Sequence, residues 1–129
     1  MVIEDKKVEE FINHIRKFKS KIFFYSKTFN KLKVKPNMMI YCDPPYSNTE
    51  AGYNAYWNKG DDDILYDFLI NADKKGASWV LSGSLKHGDK ESPLLIKMLE
   101  NFKHVKIDYN YRKVSKKTKK TEEIIIKNF

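Results

Sequence analysis

Met38-Met39-Ile40-Tyr41-Cys42-Asp43-Pro44-Pro45-Tyr46 is the stretch on which the fold reading turns. Its first five residues form a short continuous apolar run, which fits a strand buried on both faces, as in a parallel sheet. Pro36-Asn37 marks a turn before it. Pro44 and Pro45 end it, because neither can donate to a ladder. The run delivers an acid, Asp43, to the carboxyl end of a strand, and open α/β sheets bind ligands there.

Working outward, Val8, Phe11, Ile12 and Ile15 follow i, i+3, i+4, i+7 spacing and predict an amphipathic helix over about residues 4–18. Ile22-Phe23-Phe24-Tyr25 is β-rich and reads as a strand. Residues 46–60 read as a long loop. Asp61-Asp62-Asp63 then opens a helix with an apolar face of Ile64, Leu65, Phe68 and Leu69, ending near Lys74-Lys75-Gly76. Acids at the first turn and lysines with glycine at the last suit capping and the helix dipole. Consecutive aspartates suit a cation poorly, since its ligands alternate or converge from several segments. Trp79-Val80-Leu81 is the next strand, Ser82 to Ser92 a loop, and Pro93 to about Phe102 a helix. Val105–Tyr111 and Glu123–Phe129 close the chain as an antiparallel hairpin. Alternating units predict an α/β fold with a mainly parallel sheet, in a single domain over 1–129 without repeats or linkers.

The chain of 129 residues carries 25 Lys and Arg against 17 Asp and Glu, a formal net charge of +8. Both ends are basic and the middle is mildly acidic. Between Tyr111 and Lys120 stand Arg112, Lys113, Lys116, Lys117, Lys119 and Lys120 with no acid among them. Such a cluster suits contact with nucleic-acid phosphates, or a solvated hairpin tip. No apolar run approaches the length of a membrane span, and no segment reads as a signal peptide. One cysteine, Cys42, cannot close an internal disulfide, so a reducing, cytoplasmic setting is expected. His14, His87 and His104 show no metal-ligand spacing.

Asp43-Pro44-Pro45-Tyr46 resembles the DPPY signature of adenine-specific, N6-directed DNA methyltransferases. Tyr41-Cys42, Thr49, Gly52-Tyr53-Asn54 and Tyr56-Trp57 look like the Dam-type branch, and the likeness extends over roughly residues 20–129. It implies a partial Rossmann-like class I methyltransferase sheet, S-adenosylmethionine as cofactor and DNA as partner. It makes Asp43, Pro44, Pro45 and Tyr46 the catalytic group. Asp43, Tyr25 and Ser26 become cofactor contacts, and Tyr53, Tyr56 and Trp57 line or cover the base pocket. The basic residues 112–120 would meet DNA.

Three departures shape the expectation. The five glycines, at 52, 60, 76, 83 and 88, make no aromatic-x-Gly-x-Gly turn of the kind the family uses against the methionine moiety. Thr28 stands where relatives usually carry an acid, and Ser82-Gly83-Ser84 where Ser-Asn is common. The expectation is a truncated or split methyltransferase, inactive alone and binding S-adenosylmethionine weakly. A second polypeptide would supply the glycine turn and recognition domain, and an open sheet edge invites self-association. The competing expectation is a non-catalytic nucleic-acid-binding module or an inactive remnant.

Overall fold

The computed structural model describes residues 5–48, 56–107 and 121–129. The chain divides into two compact units, 1–31 and 32–129.

In the first unit, the predicted amphipathic helix forms as α1 (Asp5–Phe18). Its apolar stripe stays open to solvent, with Phe11 64% exposed. A 3-10 turn, Lys19–Lys21, follows, and Ile22 N–H closes it on the Lys19 carbonyl. The strand expected over Ile22–Tyr25 is not formed. β propensity supplies side chains that suit a pleated surface, but a strand also needs a ladder partner, and these residues have none among those described. Phe23, Phe24 and Tyr25 are all largely exposed.

The second unit is built on β1 (Met39–Cys42), α2 (Lys59–Lys74), β2 (Ser78–His87), β3 (Lys90–Glu91), α3 (Pro93–Leu99), β4 (Lys103–Ile107) and β5 (Thr121–Lys127). The sheet order is β1-β2-β5-β4, with β3 paired to β2. β1 and β2 are parallel, and β5 runs antiparallel to both β2 and β4. Three of the four longer strands therefore point the same way. Only one neighbouring pair is parallel, because the reversed β5 inserts between β2 and β4.

Alternation along the strands divides the sheet into two faces. Trp79 and Leu81 of β2 and Ile124 and Ile126 of β5 are fully buried on one of them. Leu65, Leu69 and Ala72 of α2 and Leu94, Leu95 and Met98 of α3 complete that core. Gly83 sits on the same face, where an added Cβ would lie 2.9 Å from Leu95 Cδ1. The missing side chain is what lets α3 come this close. Asn128 locks the end of β5: its Oδ1 accepts from Trp79 N–H at 2.7 Å, and its Nδ2 donates to Asp73 Oδ1 and the Ala77 carbonyl.

The opposite face is barely covered, which corrects the reading of β1 as buried on both sides. Met39 and Tyr41 are 62% and 67% exposed, while Ile40 and Cys42 point toward the core side. β1 is an edge of this sheet, and α2 and α3 pack on one face only. β2 also runs further than the sequence suggests, through Ser82–His87 and past a bulge between Ser84 and Lys86. The small residues Ser82-Gly83-Ser84 read as a loop, but β5 gives them a ladder. α3 stops at Leu99 rather than Phe102.

The acidic start of α2 has separate jobs for its residues. Asn58 is the N-cap, accepting from Gly60 N–H at 2.7 Å, and Asp61 returns the contact by accepting from Asn58 N–H at 2.8 Å. Asp62 is buried instead. Gly76, at φ +79°, ends the helix as predicted. Among the described residues no cluster of His, Cys, Asp and Glu could hold a metal, and no helix is long and apolar enough to cross a membrane.

Candidate active site

The parallel register pairs Tyr41 with Val80 and Cys42 with Leu81. One further step brings Asp43 level with Ser82, just beyond the end of β1. Ser82 Oγ donates to Asp43 Oδ1 at 2.8 Å. Two other oxygens surround the same hydroxyl, Tyr41 Oη at 3.2 Å and the Cys42 carbonyl at 3.3 Å. Asp43 itself is exposed. A solvent-facing carboxylate, held through one oxygen, keeps its second oxygen for an incoming donor.

Pro44, Pro45 and Tyr46 are half-buried behind it. They wall a small cavity with Ser82, Gly83, Ser84, Ser92, Leu94, Leu95 and Asp62. Tyr46 donates its hydroxyl to Glu123 Oε2 on β5 at 3.2 Å. Two residues further on, Asn48 is 4% exposed and its Nδ2 donates to the Ser84 carbonyl at 2.9 Å. The segment after Asp43 is thus fixed to β2 and β5 by side chains as well as by proline rings.

Trp57 donates Nε1–H to Asp62 Oδ1 at 2.7 Å. It lines a more open groove with Ser47, Asn48, Asn58, Lys59, Asp62, Lys90, Glu91 and Pro93. That groove shares Ser47 and Asp62 with the cavity behind the prolines. Tyr56 is 93% exposed and lines neither. Tyr53 and the cations Arg112, Lys113, Lys116, Lys117, Lys119 and Lys120 lie outside the described residues. Tyr25 and Ser26 belong to the first unit, and both are exposed. Burial pushes the Cys42 thiol pKa up, which disfavours the thiolate a cysteine nucleophile would need. His87 sits on β2 with Nδ1 3.0 Å from Thr121 Oγ1.

A family model described as D12 class N6 adenine-specific DNA methyltransferase matches residues 2–125. The chain belongs to this D12 class. Among its relatives is the type II methyltransferase M.FokI of Planomicrobium okeanokoites, 30% identical over 109 residues, which are 78% of this chain and 17% of the relative. The modification methylase StsI of Streptococcus sanguinis is 29% identical over 115 residues, 81% of this chain and 18% of the relative. The chain thus spans under a fifth of the length of these two methylases.

Within the D12 frame, the sequence finds the acid and prolines at the strand end but not the residues that hold them. Ser82 and Glu123 stand 39 and 77 residues from Asp43 and Tyr46, and strand register brings them there, while Asn48 reaches across 36 residues to the Ser84 carbonyl. Glu123 leaves one faint trace in the sequence: Glu122-Glu123 is an acidic pair between a basic cluster and Ile124-Ile125-Ile126.

Proposed function

We propose that this chain is the portion of an N6-adenine DNA methyltransferase that grips the target amine. The observation that carries the reading is the exposed Asp43 carboxylate, fixed at Oδ1 by Ser82 at the end of β1 and followed by two prolines. Adenine N6 is a poor nucleophile because its lone pair is delocalised into the ring. Asp43 accepts one N6–H and the Pro44 carbonyl accepts the other, which draws the nitrogen toward sp³ geometry. Charge assistance makes the Asp43 contact the stronger of the two. The proline rings hold that carbonyl in place. Once methylated, the amine sheds one proton, and the solvent-facing Asp43 carboxylate passes it to water.

S-adenosylmethionine, when bound, supplies the methyl group. The residues present fit it in part. Asp43, Tyr25 and Ser26 are the contacts the resemblance assigns to it. None of the five glycines forms the aromatic-x-Gly-x-Gly turn. We therefore assign that turn, with target recognition, to polypeptide outside these 129 residues. The adenine leaves the duplex to reach Asp43, and the Tyr46 ring, tied through its hydroxyl to Glu123, offers it a face worth about 1–3 kcal/mol of stacking. The resemblance assigns Tyr53, Tyr56 and Trp57 to the base pocket, and of these Trp57 lines the groove beside Asp62. Arg112, Lys113, Lys116, Lys117, Lys119 and Lys120 hold DNA phosphates, and the setting is cytoplasmic.

Methyl transfer from labelled S-adenosylmethionine to DNA tests this, with the glycine-turn segment supplied in trans. Asp43→Ala is expected to lower transfer by about 10²-fold or more, the scale of losing one preorganised electrostatic contact. Transfer equal to that of the parent overturns the mechanism. The chain's net charge of +8 favours one other reading, a nucleic-acid-binding module without catalysis. That reading expects salt-sensitive DNA binding and no transfer from parent or variant.

A further inference from the structure

Asp43 is exposed, and an exposed carboxylate on a strand end ordinarily samples several rotamers. Here it does not stand alone. Ser82 has one hydroxyl proton and three oxygens around it: Asp43 Oδ1 at 2.8 Å, Tyr41 Oη at 3.2 Å and the Cys42 carbonyl at 3.3 Å. The carboxylate is both the nearest acceptor and the charged one, so it takes the proton. Ser82 Oγ is then free to accept, and the Tyr41 hydroxyl donates to it. The result is a directed chain, Tyr41 to Ser82 to Asp43, in which each bond polarises the next. It lies on the sheet face that α2 and α3 leave uncovered, and the parallel β1–β2 register sets it.

Resting on the proposed amine grip, we infer that Ser82 is a positioning residue for Asp43, oriented in turn by Tyr41. The hydroxyl claims Oδ1 and sets the carboxylate plane, which leaves Oδ2 as the acceptor presented to the substrate N–H. Tyr41 has a polar job at its tip although it reads in the sequence as one more apolar strand residue. Ser82 reads as the residue that ends a strand.

The test has two arms on the full chain. In the first, three-bond couplings between Asp43 Hα and its two Hβ protons are measured by NMR on the parent, Ser82→Ala, Ser82→Thr and Tyr41→Phe. An amide spectrum of each variant confirms an intact β1–β2 ladder. The parent should show the couplings of a single rotamer, either one large and one small or both small, rather than two intermediate values. Ser82→Ala should show two averaged couplings, and Ser82→Thr, which keeps the hydroxyl, should restore the parent pattern. Tyr41→Phe should fall between. Averaged couplings in the parent, or a parent-like pattern in Ser82→Ala, overturn the inference, and this arm needs no turnover.

In the second arm, with the glycine-turn segment supplied, Ser82→Ala should lower kcat roughly 10- to 100-fold, the worth of one hydrogen bond to a charged group. KM for DNA should stay close to that of the parent, and Ser82→Thr should recover most of kcat. If Asp43→Ala abolishes transfer while Ser82→Ala keeps the parent kcat, the positioning role fails and the amine grip stands. If Asp43→Ala transfers like the parent, the amine grip itself fails.

Discussion

Gly83 offers the sharpest test of how α3 meets the sheet. A Cβ there would sit 2.9 Å from Leu95 Cδ1 and 3.4 Å from Cδ2. Leu95 is 3% exposed and packed in the core, and although its Cδ1 is the mobile end of the side chain, the small cavity it lines leaves it only a partial retreat. Gly83→Ala therefore sets two effects against each other. Overpacking a filled core costs typically about 1–3 kcal/mol. Removing a glycine's freedom from the unfolded chain returns about 0.4–1 kcal/mol. Overpacking wins, and the net loss is roughly 1–2 kcal/mol. For a unit of this size that lowers Tm by about 4–8 °C for each kcal/mol.

Thermal and urea unfolding, followed by the fluorescence of Trp57 and the buried Trp79, measure the loss. The urea slope should not change, since the same surface is exposed on unfolding. Leu95→Ala on its own should cost about 2–5 kcal/mol as a cavity. In the double variant the Gly83→Ala penalty should disappear, leaving a favourable coupling of about 1–2 kcal/mol. A Tm equal to or above that of the parent for Gly83→Ala would refute the reasoning, because only the entropic gain would then be operating. Asparagine is bulkier than alanine, so Gly83→Asn should destabilise more than Gly83→Ala.

Asn128→Ala removes acceptance from Trp79 N–H and donation to Asp73 and Ala77, and should cost about 2 kcal/mol by urea unfolding if these bonds carry ordinary weight. A loss within error would show that water replaces them freely. Burial raises the Cys42 thiol pKa, so less thiolate is present near neutral pH than for a free cysteine. Iodoacetamide should label native Cys42 more slowly than the urea-unfolded chain at the same pH, and equal rates would show that the thiol is open. If Lys116, Lys117, Lys119 and Lys120 meet phosphates, replacing all four with alanine should flatten the dependence of log K for duplex DNA on log salt by up to about 0.9 per lysine. An unchanged slope would place DNA contact elsewhere.

Local signals survived into the structure where the neighbours along the chain decide the outcome. The i, i+3, i+4 pattern of Val8, Phe11, Ile12 and Ile15 becomes α1, and Gly76 ends α2 because a positive φ is needed there. Ser92 before Pro93 caps α3, and the last two strands do form a hairpin. Apart from the end of α3, the errors are non-local. Ile22–Tyr25 has strand-forming side chains and no ladder partner among the described residues. Ser82–His87 looks like a loop in composition but has β5 beside it to pair with. Met39 and Tyr41 sit in a continuous apolar run, yet that pattern cannot tell a central strand from an edge strand covered on one face. The site divides in the same way. Asp43, Pro44 and Pro45 are legible because an acid followed by two prolines after an apolar run is a local signal. Ser82 reaches Asp43, and Glu123 reaches Tyr46, only through register.

The two aspartates near this end of the sheet show why exposure matters as much as residue type. Asp62 is 5% exposed and takes Trp57 Nε1–H on Oδ1, which ties the approach to α2 onto the helix itself. Its other oxygen has no hydrogen-bond partner and is buried, so a nucleobase in solvent cannot reach it. Asp43 reverses each property. It is exposed, and its fixed oxygen is held by a small hydroxyl rather than an indole. A carboxylate that must accept from a substrate amine has to be restrained without being enclosed, because full burial would set the cost of desolvation against every binding event. The strand end provides that compromise: β1 stops at Cys42, the parallel ladder carries Ser82 alongside, and the prolines keep the following backbone from folding over the acid.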